Sequence, residues 1–163
     1  MSTYIRPATV ADEAAISHIC LVTGEAGEDA TGLYTIPELL SIVWARPYLH
    51  AKNAFAYVLT TTLPDHNATG ASNENKERVI GYVIGTTDAI ALDEELKKDW
   101  WPVYVKKYPI ESTPGNEWDK GQMQLMQRLA GPFTYEDDIT ERGRYIPHIN
   151  SALASPLPYI YAY

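Results

Sequence analysis

Arg78-Val-Ile-Gly-Tyr-Val-Ile-Gly-Thr-Thr87 and Ala54-Phe-Ala-Tyr-Val-Leu-Thr-Thr-Thr-Leu63 are the two stretches that decide the fold of this chain. Both are rich in the β-branched and aromatic residues that favour strands. The residues between them, 64–77, are polar and include proline, asparagine, glycine and serine, as surface loops do. Together the two stretches predict an antiparallel hairpin with a long loop at its tip.

A short strand and a helix are predicted before the hairpin. Thr3–Arg6 is the strand candidate. Thr9-Val-Ala-Asp12 resembles a capping box, and the apolar positions within Ile16–Cys20 then fall on one helical face. Glycine commonly ends helices, so this helix is expected to end near Gly24.

A glycine-rich acidic loop, residues 24–32, follows the first helix. A second helix is predicted to start at Pro37, because proline suits the first helical turn. Leu39–Trp44 carries its apolar stripe, and Pro47 is expected to end it.

Helices are predicted after the hairpin. The segment Leu92–Tyr108 has acidic residues at Asp93–Glu95, where a first turn favours them, and Pro102 kinks or divides it. Trp118–Leu129 predicts another helix, and Pro147–Ala154 predicts one or two further helical turns.

The final six residues, Pro158-Tyr-Ile-Tyr-Ala-Tyr163, form an apolar and aromatic strand candidate. Domain termini usually fray into polar residues, so we expect this segment to pair with another segment or chain, and residues 1–163 to be part of a larger domain. The pattern as a whole predicts a single α/β (α+β) domain with a mixed, mostly antiparallel sheet flanked by helices.

Composition and charge exclude several functional classes. The chain has 163 residues, 45% of them hydrophobic, and a net charge of −8, which argues against nucleic-acid or anionic-membrane binding and favours cationic partners. One cysteine, Cys20, excludes an internal disulfide, and the four histidines lack metal-ligand spacing. No signal peptide or membrane-spanning run is evident, so a cytoplasmic protein is expected.

Several short motifs resemble the GNAT family of acetyl-CoA-dependent N-acetyltransferases. The opening Tyr4-Ile5-Arg6-Pro7-Ala8 is widespread in that family, as is a Val-Ile-Gly-Tyr-Val-Ile-Gly strand. A more specific set of motifs covers nearly the whole chain and is similar to the acetyltransferase-like subgroup related to the C-terminal domain of O-GlcNAcases. It comprises Asp29-Ala30-Thr31-Gly32-Leu33-Tyr34, Pro37-Glu38-Leu39-Leu40, Pro47-Tyr48-Leu49, Trp100-Trp101-Pro102 and Lys107-Tyr108-Pro109.

The resemblance implies acetyl transfer from acetyl-CoA to an amine-bearing acceptor, but the sequence departs from the family at one motif. The family's Gln/Arg-x-x-Gly-x-Gly/Ala turn, whose backbone N–H groups neutralise the cofactor's pyrophosphate, has no match in this sequence. Residues 1–163 therefore correspond to the N-terminal, acceptor-side part of a single GNAT-like domain that ends at the start of the central strand. Acetyl-CoA is expected only for the complete domain, completed by a C-terminal part or by a second chain.

Five residues are candidates for acceptor binding, and each has a structural alternative. Asp29 can orient an amine or cap a turn, and Thr31 and Tyr34 can line the acceptor groove, although Tyr34 can equally be a packing aromatic. Asp88 follows a strand end but also suits a helix cap. Trp100 can form an aromatic wall, while one residue of the Trp100-Trp101 pair is expected in the core.

Two functional interpretations remain open. One is a GNAT-type acetyltransferase, in which Glu25, Glu28 and Asp29 attract an ammonium group and the catalytic base is unidentified. The other is a non-catalytic acetyltransferase-like binding or scaffold module. An uncovered sheet edge also favours a homodimer.

Overall fold

An antiparallel four-stranded sheet organises the chain, in a computed structural model that describes residues 2–63, 76–132 and 148–151. The strands are β1 (Thr3–Pro7), β2 (Phe55–Leu63), β3 (Lys76–Gly85) and β4 (His148–Ser151), and they lie side by side in that order. β2 and β3 form the predicted antiparallel pair, with Phe55 opposite Gly85 and a register shift between Leu59 and Thr60. The hairpin prediction is confirmed.

The first helix, α1 (Glu13–Val22), covers one face of this sheet. Ile16 and Cys20 of α1 pack with Val58 of β2 and with Tyr82 and Ile84 of β3 in one buried cluster. The capping box predicted at Thr9–Asp12 is present and closes a short 3-10 turn that leads into α1. Burial of these apolar side chains against the sheet fixes the position of α1.

A second core lies among the other helices: α2 (Glu38–Trp44), α4 (Ala89–Asp99), α5 (Trp101–Lys107) and α6 (Glu117–Ala130). Its most deeply buried members are Leu39, Ile42, Trp101, Met123 and Met126. Helix α2 contributes to both cores, because its residue Leu40 packs on the α1 side. The α/β fold class predicted from the sequence is confirmed.

The predicted role of Pro47 is wrong. Helix α2 ends at Trp44, where the carbonyl of Ser41 accepts both Ala45 N–H and Arg46 N–H, and Pro47 instead begins the one-turn helix α3 (Pro47–His50). Proline lacks an N–H, and the first residue of a helix does not need one, so Pro47 starts a helix more readily than it stops one.

Helix α4 starts three residues earlier than predicted. Asp88 caps it, so Asp93, Glu94 and Glu95 lie in its second turn, and Asp93 pairs with Lys97 at 2.6 Å. The division at Pro102 is confirmed, since α4 ends just before α5 begins. Both members of the Trp100-Trp101 pair are buried, not one alone.

The helix predicted at Pro147–Ala154 is wrong at residues 148–151. These residues form β4, in which Asn150 lies opposite Tyr82 and Ile149 opposite Val83. Pairing with β3 satisfies backbone groups that an open edge would leave without partners. The predicted strand at Pro158–Tyr163 lies outside the described residues. Among the helices that are described, none is long and apolar enough to cross a membrane.

Candidate functional site

The segment between α1 and α2, residues 23–36 and hereafter the connector, contains the positive-φ residues of the described part of the chain. Glu25 and Glu28 form an isolated antiparallel bridge, and the two residues between them, Ala26 and Gly27, have φ values of 51° and 94°. Two consecutive positive φ values match a type I′ turn. Alanine is disfavoured at positive φ, so the surrounding contacts must offset the conformational free energy that this turn costs.

Helix α6 fixes the end of the connector through one buried carboxylate. Asp119 is fully buried, and its oxygens accept the backbone N–H groups of Ile36 at 3.0 Å and Thr35 at 3.2 Å, together with the Thr35 hydroxyl. The N-cap residue of α6, Asn116, donates its side-chain amide to the Leu33 carbonyl at 2.8 Å. Burial raises the pKa of Asp119, but these hydrogen bonds outweigh burial and the net shift is downward.

Gly24 sets how closely the connector approaches α2. A Cβ at this position would lie 2.4 Å from Cδ2 of Leu40 and 2.9 Å from the carbonyl oxygen of Cys20. Only glycine fits without displacing one of these atoms. The connector is thus packed closely at its start and hydrogen-bonded at its end.

The acidic side chains of the connector lie on its outer surface. Asp29 is exposed, and its Oδ1 accepts the backbone N–H of Thr31 at 2.8 Å, which is the turn-capping role considered for it. Hydrogen bonds from the Thr31 side chain and backbone lower the pKa of Asp29. Glu25 and Glu28 are also exposed, so the structure presents three carboxylates and the Thr31 side chain together on one short loop.

Tyr34 anchors the connector from inside. It is buried, its ring meets the edge of Trp118 at 6.1 Å, and its hydroxyl accepts the side-chain amide of Gln122 at 3.2 Å. The Gln122 carbonyl in turn accepts the indole N–H of Trp44 at 3.1 Å. Burial raises the pKa of Tyr34. Tyr34 therefore has the packing role that was its structural alternative.

Asp88 and Trp100 lie away from the connector. Asp88 caps α4 by accepting the N–H of Ala91 at 3.0 Å. Trp100 sits at the junction of α4 and α5 and donates its indole N–H to the Ile42 carbonyl at 3.1 Å. The structure thus brings Asp29 and Thr31 together on one loop, with Tyr34 packed at its base, and separates them from Asp88 and Trp100.

A cleft of about 570 Å³ lies beside the connector, between α1 and the start of β3. Ala11 and Ala15 line it on the helix side, and their small side chains leave the space open. His18 follows on the same helix, and Asp29 stands at the rim. We call this the acidic cleft, because its lining includes the carboxylates of Asp12, Asp29 and Glu77.

Arg6 forms ion pairs with two of these three carboxylates. It binds Asp12 through two hydrogen bonds of 2.8 Å and binds Glu77 at 2.6 Å. The Arg6 guanidinium holds the pKa of Asp12 at about 2, while the two carboxylates raise the pKa of Arg6. Arg78, exposed on the β3 side, is the cleft's other cation. Asp29 is consequently the cleft carboxylate with no ion pair among the described residues.

His18 is a residue of the site that was not predicted from the sequence. It is exposed on α1, lines the acidic cleft and, when charged, lowers the pKa of Asp29 by a direct electrostatic interaction. The small residues Ala11 and Ala15 precede it at helical spacing, but this spacing alone does not indicate a cavity. Imidazole is the side chain most often used to accept a proton in catalysis.

The described residues do not fit a pyrophosphate group. A helix N-terminus attracts phosphate through its free N–H groups and positive dipole end. Helices α1, α2, α4 and α6 each carry an acidic residue as N-cap or in the first turn, where it would repel the anion. The same part of the chain also contains no group of three or more His, Cys, Asp or Glu residues arranged for a metal ion.

Comparison with known proteins identifies the fold. No family model matches the chain. The crystal structure of SsHAT is similar to it, with 24% sequence identity and a TM-score of 0.64, over 93% of this chain and 67% of the SsHAT chain. The SsHAT fold is acetyltransferase-like, so this chain has an acetyltransferase-like fold.

Proposed function

We propose that this chain forms the acceptor-binding side of a GNAT-type N-acetyltransferase, with an amine-bearing acceptor as its ligand and acetyl-CoA as the donor of the complete domain. The observation that carries the proposal is the connector. It is a loop held at both ends, and its residue Asp29, which has no ion pair with a described residue, lines an open cleft. The acetyltransferase-like fold and the sequence motifs support the same interpretation.

Charge explains why an amine would bind there. An alkylamine has an ordinary pKa near 10.4 and is an ammonium ion at neutral pH. Asp29 provides negative charge at the cleft, Glu25 and Glu28 add exposed charge on the same loop, and Arg6 is already paired within the cleft. Because close packing at Gly24 and the hydrogen bonds of Asp119 hold the two ends of the connector, its backbone needs little ordering when a ligand arrives, which favours binding.

An acceptor amine must lose a proton before it can attack an acyl group. His18 is the one imidazole that lines the acidic cleft in the described part of the chain. We assign it as the group positioned to accept that proton, directly or through water. The assignment concerns the acceptor alone, because the described residues do not fit the pyrophosphate of acetyl-CoA.

A non-catalytic acetyltransferase-like binding module is the second candidate. The acidic N-termini of α1, α2, α4 and α6 favour it, because they offer no phosphate site. Both candidates require the acceptor site, and they differ in whether the complete domain binds acetyl-CoA.

Calorimetry with a lysine-containing peptide tests the acceptor site. The double substitution Glu28→Gln and Asp29→Asn removes two charges, while the new asparagine keeps an oxygen for the Thr31 N–H. We expect it to weaken binding about fivefold, because exposed ion pairs are individually weak. The matched control, Glu94→Gln with Glu111→Gln, removes two exposed charges outside the connector and should leave affinity unchanged. If both double substitutions weakened binding equally, the loss of affinity would follow from net charge alone. That result would refute the acceptor site.

A further inference from the structure

A second cavity, of about 410 Å³, lies at the junction of α4 and α5. Three aromatic rings stand in a row along it: His50, Trp100 and Tyr104, with ring centroids 5.2 Å apart for the first pair and 4.7 Å for the second. Leu96 and Val103 add an aliphatic wall, and Val103 is 58% exposed. We call this the junction pocket. It shares no lining residue with the acidic cleft.

Two carboxylates line the junction pocket, and only one of them accepts hydrogen bonds from described residues. Glu95 accepts the backbone N–H groups of Lys52 at 2.8 Å and Asn53 at 3.1 Å, and so fixes the turn before β2. Asp99 is exposed and makes no hydrogen bond or ion pair with any residue that the structure describes. Asp99 is therefore available to a ligand.

The dipole of α4 opposes the charge of Asp99, although Lys97 and Lys98 lie in the same last turn. Asp99 is the last residue of α4, where the helix dipole is negative. Pro102 follows within one turn and has no N–H to offer the Lys98 carbonyl, which adds to the negative potential of the junction. A positively charged ligand would offset both the helix dipole and the potential of the Lys98 carbonyl.

Two neighbouring basic side chains, Arg46 and His50, contact carboxylates other than Asp99. His50 contacts the Glu13 carboxylate at 2.5 Å, and Arg46 binds Glu13 at 2.9 Å and Glu38 at 3.5 Å. Arg46 also lies over the Tyr104 ring, 5.7 Å from its centroid. None of these contacts involves Asp99, and no described side chain forms an ion pair with it.

We propose that the junction pocket binds a small quaternary ammonium group. Aromatic rings attract such cations, whose methyl groups pack on aliphatic side chains and whose weak hydration makes one carboxylate a sufficient counter-charge. A primary ammonium carries three N–H donors that need acceptors, and the pocket offers one free carboxylate for them. The row of rings, the aliphatic wall and the unpaired Asp99 therefore match a methylated ammonium better than a lysine side chain.

Choline and its uncharged isostere 3,3-dimethylbutan-1-ol provide a matched pair of probes. We expect choline to shift the indole N–H resonance of Trp100 with millimolar affinity, and the isostere to bind about fivefold more weakly, since it lacks both cation–π and ion-pair attraction. Asp99→Asn should weaken choline binding about threefold, and the neighbouring control Glu94→Gln should not change it.

Three outcomes would overturn the proposal: no choline-dependent shift at Trp100, equal affinity for the two probes, or equal affinity for Asp99→Asn and the parent chain. Misfolding is separable, because Asp99→Asn removes a repulsive charge at a helix end and should leave the unfolding temperature unchanged or higher. The acceptor site is tested independently, since Asp99→Asn should not alter the affinity for the lysine peptide.

Discussion

Asp119 of α6 accepts the backbone N–H of Ile36 at 3.0 Å, although the two residues are 83 positions apart in the sequence. This contact joins the helical core to the acidic connector. With the Thr35 and Asn116 donors it satisfies a carboxylate that is otherwise removed from water. The geometry of the candidate acceptor site therefore depends on a residue that never reaches the surface.

Asp119→Asn should lower the free energy of unfolding by about 3 kcal/mol, because the new amide group would place donors against N–H donors and remove a charged acceptor. Urea denaturation at neutral pH measures this. Asp99→Asn, at an exposed position without described hydrogen bonds, is the control and should change stability by less than about 0.5 kcal/mol. If Asp119→Asn and the parent chain were equally stable, Asp119 would not be the residue that holds the connector in place.

The pair formed by Arg6 and Asp12 should make stability depend on pH. The folded pKa of Asp12 is about 2, against an ordinary 3.8, so the pair contributes about 2 kcal/mol above pH ~4. This contribution is lost as the pH falls from about 4 to about 2, because Asp12 then becomes protonated. Asp12→Asn should be less stable at pH 7 and show a flatter decline over that window. An unchanged slope in urea titrations across the same acidic range would contradict this.

Gly24→Ala should destabilise the protein by about 1–3 kcal/mol, because the added Cβ overlaps Leu40 and the Cys20 carbonyl. At Gly32, in the same connector, an added Cβ would meet no atom within 4 Å, so Gly32→Ala is the control and should be neutral. Thermal unfolding compares the two variants. If both lose the same stability, close packing at Gly24 is not the cause.

Calorimetry on residues 1–163 should detect no binding of acetyl-CoA. Carboxylates at the N-termini of four helices, α1, α2, α4 and α6, oppose the pyrophosphate. Micromolar affinity would contradict the assignment of this chain to the acceptor side. Desulfo or dephosphorylated CoA analogues would then show which group is recognised.

Local patterns were sufficient for the sheet and most helices. Alternation and β-branched residues identify β2 and β3, and the capping box at Thr9–Asp12 identifies the start of α1. Pro47 was assigned the wrong role, since it starts a helix, and the start of α4 was placed three residues late although its cap, Asp88, was considered correctly. β4 was missed because a four-residue strand depends on its partner β3, not on its own pattern.

The candidate site was only partly predictable. The acidic loop and Asp29 follow from composition and turn chemistry, since aspartate caps turns. Asp119 was missed because it meets the connector through the folding of α6, which is far away in the sequence. His18 is close to Asp29 in the sequence, but its place in the acidic cleft depends on how α1 packs beside β3. Helical spacing alone does not reveal such contacts.

An amine-bearing acceptor is proposed to bind at the connector beside the acidic cleft. Backbone amide chemical shifts, recorded while a lysine peptide and its Nε-acetyl-lysine counterpart are titrated, test it most directly. We predict that the lysine peptide shifts the amides of Asp29, Thr31 and His18, and that the acetylated peptide, which lacks the ammonium charge, does not. Shifts confined to other surfaces, or equal shifts with both peptides, would refute acceptor binding at the connector.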